Sequence, residues 1–287
     1  MRDSIQEHIR QARRFSTNAR TVDFKVARSH IQRALYLNDS LRYRDAECLV
    51  AAGDVENLAF NYERNKPASG GKTDEAACLA AAKQCYLYYL SAYDLYKADP
   101  DRYGKNGVKQ QARLSQTAMQ YFLLTNGFQV NAGKNYQKGD LATTLDEFRM
   151  TFDGGTGPFL RLAYDADPKK LSGFETYLAD STQCRALYNC ATIASALGRM
   201  DDALAYYDSL KIRQYMPEKV YRNTTAIYSA RRDTVMLMTE LIMAVETLPK
   251  DVWFQKNLLQ LYINRQQWAE AEAMADRCIA LMMTSNS

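Results

Sequence analysis

The chain has 287 residues, 47% of them hydrophobic, with only 6 Pro and 13 Gly to interrupt regular structure. That is enough apolar material for one elongated repeat domain or two compact ones, and it suits long helices. The net charge of +4, from 37 basic and 33 acidic residues, is too mild to argue for a nucleic-acid partner.

Taken in chain order, Val26-Ala27 through Ala34-Leu35 reads as a helix with Ala27, Ile31 and Ala34 on one face, and residues 43–62 as the helix that follows. The run Asn65-Lys66-Pro67-Ala68-Ser69-Gly70-Gly71 breaks the pattern, and Thr73 is the expected N-cap of a long helix from Asp74 to Lys97. Further loops are expected at Asp99-Pro100, at Gly104 to Gly107 and at Gly154-Gly155-Thr156-Gly157-Pro158. Residues 1–124 thus read as an irregular set of N-terminal helices. From residue 184 the reading sharpens, because the segments 184–217, 218–251 and 252–285 are each 34 residues long and abut without a gap.

The first segment holds Cys184-Arg185-Ala186-Leu187-Tyr188-Asn189-Cys190-Ala191 and then Leu197-Gly198-Arg199-Met200-Asp201-Asp202-Ala203-Leu204. The third holds Asn257-Leu258-Leu259 and Tyr262, then Trp268-Ala269-Glu270-Ala271-Glu272-Ala273. On these residues the chain resembles the tetratricopeptide repeat family, and its layout is similar to that of bacterial multi-repeat members. The family places a small residue eighth (Ala191), an aromatic eleventh (Tyr228, Tyr262) and a small residue at the helix crossing, twentieth; here that position is Ala203, Leu237 and Ala271. Pro217 and Pro249 are expected to stop the second helices. A degenerate copy fits 125–158, with Thr144 at the crossing, and 159–183 reads as an insertion carrying a short helix. The resemblance implies an all-α fold, a tetratricopeptide-like α-solenoid of antiparallel helix pairs in a right-handed superhelix. Each pair leaves an apolar face that its neighbour covers.

No other motif carries chemistry. Gly70-Gly71-Lys72-Thr73 looks like the end of a phosphate loop, but Lys66 stands where the earlier glycine is needed, and no strand precedes it. His8 and His30 are the only histidines, and neither has a nucleophile and an orienting carboxylate beside it in sequence. The six cysteines, at 48, 78, 85, 184, 190 and 278, match no zinc spacing and read as small buried apolar residues. No catalytic group, metal or cofactor is expected. No run of 18 apolar residues predicts a membrane span, and the charged start Met1-Arg2-Asp3-Ser4-Ile5 lacks the core of a signal peptide. As written, the chain reads as soluble and cytoplasmic; a signal removed upstream of Met1 would make it periplasmic or exported.

The family resemblance implies that the first helices line a concave surface through their second, fifth, sixth, ninth and twelfth positions. Among these fall Arg185, Tyr188 and Asn189 in the first clear repeat, Lys219, Arg222 and Asn223 in the next, and Trp253, Lys256 and Asn257 in the third. Asn recurs at the sixth position, flanked by cations. In family members that capture peptide ends, such Asn residues grip the backbone and Lys or Arg hold the carboxylate, because an amide both donates and accepts while cations give charge-assisted bonds. The expected function is a non-enzymatic scaffold that binds a protein or peptide, with an acidic or carboxylate-bearing partner. The alternative is a non-peptide ligand such as a glycan, stacked on rings including Tyr188, Tyr221, Tyr228 and Trp253.

Overall fold

The computed structural model describes residues 1–284 apart from 19, 42, 43, 170 and 174, with the side chains of 118–124, 177 and 284 also outside the description. Among the described residues every regular element is a helix, so the chain is all-α, built of antiparallel helix pairs as in tetratricopeptide-like α-solenoids. It divides into two compact units: residues 1–138 with 150–179, and residues 139–149 with 180–287.

The first unit begins with α1 (Arg2–Thr17) paired with α2 (Phe24–Asp39) and α3 (Ala46–Asn65) paired with α4 (Glu75–Ala98). Helix α1 buries Ile5, Ile9, Ala12 and Ser16, and α2 buries Ala27, Ile31, Ala34 and Asn38. Both sets follow the same spacing of four, three and four residues, which draws one stripe along a helix. Ala12, Ala27 and Ala34 are fully buried at the meeting of α1, α2 and α3, where only a small side chain fits. Asn38 closes the pair: its amide donates to the Asp45 carbonyl (3.2 Å) and its oxygen accepts from the Asp45 N–H (2.9 Å).

Of the expected breaks, the one at Asp99-Pro100 is a helix boundary, whereas the Gly154-Gly155 pair lies inside a helix. The N-cap of α4 is Asp74, not Thr73; its carboxylate accepts from the Ala77 N–H at 3.0 Å. Pro100 opens α5 (Pro100–Gln116) at the position where a missing N–H costs nothing, with Asp99 as its cap. The break at Gly104 survives as a kink inside α5, with φ 50° and ψ −143°, a backbone state open to glycine. After α6 (Ala118–Gln137), α7 (Leu141–Thr156) runs through Gly154 and Gly155, which are buried; a Cβ on Gly154 would lie 3.0 Å from the Thr125 hydroxyl. Gly154 serves close packing there rather than a loop. The 159–183 segment carries α8 (Pro158–Ala166) and the single turn α9 (Glu175–Leu178).

Tyrosines fill the centre of this unit. Tyr86, Tyr89 and Tyr96 of α4 are core residues, so the Tyr-rich stretch of α4 is not an open surface. Tyr89 donates to Asp54, which also accepts from Arg113 at 3.1 Å. Burial pushes all three hydroxyls well above the ordinary phenol range. Tyr96 bears the one orphan among described buried side-chain polar atoms, a hydroxyl with no partner.

The second unit pairs α10 (Asp180–Ala196) with α11 (Met200–Ile212), α12 (Pro217–Ala230) with α13 (Thr234–Thr247), and α14 (Val252–Asn264) with α15 (Trp268–Thr284). The three turns inside the pairs are built alike. Gly198, Arg232 and Gln266 all have positive φ, and they lie 34 residues apart. The next residue in each turn, Arg199, Asp233 or Gln267, donates its N–H to the carbonyl of Ala194, Tyr228 or Tyr262 at 2.9, 3.0 and 2.9 Å. These bonds satisfy carbonyls left open at each helix end. Gly139, before α7, holds the same left-handed state at the fifteenth position of 125–158. Pro217 does not stop α11, which ends at Ile212; it is the first residue of α12, where its fixed φ suits the helix start.

Candidate partner-binding face

The first helices of the second unit, α10, α12 and α14, carry all nine candidate groove residues. Arg185, Lys219, Trp253 and Lys256 are exposed, and Tyr188, Asn189, Arg222, Asn223 and Asn257 are half-buried. None lies sealed in the core, yet several are already engaged inside the protein. The Asn223 amide donates to the hydroxyls of Tyr207 (2.9 Å) and Tyr188 (3.4 Å). Asn257 donates back to the carbonyl of Trp253 at 2.8 Å. Arg222 reaches Glu218 at 3.1 Å and Asp251 at 3.3 Å, and its guanidinium lies 4.6 Å from the Trp253 ring centroid. The remaining cations, Arg185, Lys219 and Lys256, have no acidic partner within ion-pair distance among the described residues, and the Asn189 amide has no partner there either.

Between α12, α13 and α14 lies a cleft of about 300 Å³. Helix α12 contributes Arg222, Thr225, Ala226 and Ser229, and α14 contributes Trp253, Asn257, Gln260 and Leu261. The third wall was not legible as part of a site: Leu237 and Leu241 of α13. Leu237 occupies the crossing position where the neighbouring pairs have the buried Ala203 and Ala271. Leu237 there is half-buried and lines the cleft. That departure from a small residue is the signal in the sequence that points to the cleft.

The frame under this face is an ion pair. Lys211 of α11 donates to Glu240 of α13 at 2.6 Å and to Asp208 at 3.0 Å, and the Thr224 hydroxyl of α12 donates to the other Glu240 oxygen at 2.8 Å. Burial alone would pull the Lys211 pKa down, but the bonds to Glu240 and Asp208 outweigh it and raise it. Burial likewise pushes the Tyr207 hydroxyl, beneath Asn223, up to about 12. These bonds tie α11, α12 and α13 together, and α12 and α13 are two of the three walls of the cleft.

A second cavity, about 390 Å³, belongs to the first unit and is lined by Arg28, Gln32, Glu56, Gln84 and Tyr88 among others. Arg28 pairs with Glu56 through two bonds of 2.8 and 2.7 Å. The two histidines meet at the α1–α2 contact, Nδ1 to Nδ1 at 3.1 Å, with Phe15 stacked on His30. Among the described residues no group of three His, Cys, Asp or Glu could hold a metal, and no helix is long and apolar enough to cross a membrane. The six cysteines are all buried and unpaired with one another.

No family model matches the chain. No curated protein matches it. Among solved structures it is similar to the TPR2AB domain–pHSP90 complex of yeast Sti1, at 15% identity over 100% of this chain and 93% of that chain, with a TM-score of 0.31.

Proposed function

We propose that the chain is a non-enzymatic scaffold that holds a segment of another protein on the α10–α12–α14 face. The observation that carries this reading is the cleft beside Leu237: an apolar floor, a polar rim of Ser229, Asn257 and Gln260, and the unpaired Lys219 and Lys256 on the helices that wall it. Concave, mostly apolar sites with a few polar groups at the edge are where proteins take ligands. At about 300 Å³ the cleft is at the small end of such sites, a fit for one or two side chains of a larger partner. Arg185, Tyr188 and Asn189 would extend the contact along α10.

A glycan is the weaker reading. Sugar stacking needs a free ring face, and one face of Trp253 is already occupied by the Arg222 guanidinium while its edge meets Phe254.

The test is photo-crosslinking in the cell of origin. A photoreactive residue at Ala226, inside the cleft, should capture a protein that the same residue at Glu272, exposed on α15, does not. Equal capture from both positions, or capture from Glu272 alone, would remove the reading.

A further inference from the structure

We infer that the cleft reads a bulky apolar side chain from the interior of an acidic segment, and does not read a chain terminus; this rests on the scaffold reading above and names its partner. Among the residues that line the cleft or lie beneath it, those that could hold a terminal carboxylate and the adjoining backbone are already engaged. Arg222 is held by Glu218 and Asp251, and both carboxylates would have to be released before it met a new one. Asn223 donates to two phenols and Asn257 to its own helix. A carboxylate entering the cleft would lose its water against Leu237, Leu241 and Leu261 without gaining a free donor pair, a costly transfer.

An apolar side chain meets the opposite situation. Leu241 and Thr225 are buried at the floor, Leu237 and Leu261 stand half-buried at the sides, and the exposed Trp253 forms one lip. Burying an apolar anchor there removes surface from water on both partners. The rim selects what flanks the anchor. Lys219 lies one turn before Arg222 on α12, and Lys256 lies one turn after Trp253 on α14, both exposed and without an acidic partner among the described residues. Residues three apart share a helix face, so Lys219 and Lys256 stand one turn from Arg222 and Trp253, which line the cleft, although neither lysine lines it itself. Acidic residues on either side of the anchor complement them, whereas basic flanks are repelled.

The test uses two displayed libraries of random seven-residue segments, one tethered at both ends and one with a free carboxyl end. Each is selected on the intact chain and counter-screened on Ala226→Trp and Ser229→Trp, which fill the cleft, after both variants are shown to melt like the wild type. The expected result is binders from the tethered library with one central Leu, Met or Phe flanked by Asp or Glu. They should bind each filled-cleft variant at least tenfold more weakly, lose at least threefold in affinity to Lys219→Glu or Lys256→Glu, and weaken with added salt. Binders from the free-end library alone would overturn the inference while leaving the scaffold reading intact. Tethered binders without acidic flanks would also overturn it. No cleft-dependent binder from either library would overturn the inference and the scaffold reading together.

Discussion

The two units solve the same packing problem with different materials. Each ties neighbouring helices through a buried carboxylate and a cation, Glu56 with Arg28 in the first and Glu240 with Lys211 in the second. The first unit, with helices of unequal length, fills the space between them with tyrosines whose hydroxyls then need partners: Tyr89 finds Asp54, Tyr86 finds the Asp153 carbonyl, and Tyr96 finds none. The second unit also buries tyrosines, with Tyr207 bonded to Asn223 and Tyr221 to Thr247, but sets them on one turn repeated every 34 residues. At the crossing position the second unit has Leu237 where the flanking pairs have Ala203 and Ala271, and Leu237 lines its cleft.

High pH should break the comparison most completely. Tyr86, Tyr89 and Tyr96 have their ionisation raised by burial, and Tyr207 is raised to about 12. A phenol raised above its unfolded value of about 10 adds stability that is complete below that pH and is lost as pH climbs through the folded value. Lys211 is raised too and follows the same sign. Tyr88 is raised in the first unit as well, and Tyr228 and Tyr262 in the second; because the large shifts fall on three phenols of the first unit and one of the second, the first unit should lose helicity first above about pH 10, with phenolate absorbance rising together with the loss of helix signal. Phenolate appearing fully while helicity stays intact would contradict this burial.

Next in size are the ion pairs. Lys211→Ala leaves Glu240 buried and uncompensated and should cost roughly 3–5 kcal/mol of second-unit stability, read by hydrogen exchange within that unit. Arg28→Ala should cost less, about 1–3 kcal/mol, because the Arg28 side chain is 42% exposed and water can reach the Glu56 it abandons. Equal losses would mean the two frames are not built differently.

A glycine pair within the first unit sharpens the packing claim. A Cβ on Gly53 would sit 2.3 Å from the Tyr89 ring, so Gly53→Ala should destabilise by roughly 1–3 kcal/mol although alanine favours the helix. Gly133, in α6 with open space around it, should gain about 0.4–1 kcal/mol on the same change. Thermal melts of the two variants should therefore move in opposite directions.

The smallest effect tests the repeated turn. Gln266 holds φ 58° where Gly198 holds 75°. Gln266→Gly should relieve part of the left-handed penalty of roughly 1–2 kcal/mol, raising the melting temperature slightly, while Gly198→Ala should lower it. A drop for Gln266→Gly would show that its side chain, and not the turn, sets the geometry.

The sequence alone determined the helical class, the helix pairs of 184–285 and the residues on their first helices, because spacing on a helix is a local property that periodicity records directly. It could not determine that Arg222 and Asn223 are committed within the fold, since their partners Asp251, Tyr188 and Tyr207 lie 16 to 35 residues away and meet them only when the pairs stack. It also took Pro217 for a helix stop and the Gly154-Gly155 pair for a loop, because a proline at a helix start and a buried glycine inside a helix look in one dimension like a proline and a glycine in a loop. The cleft itself belongs to the tertiary structure, because its walls come from three helices that meet only when the pairs stack.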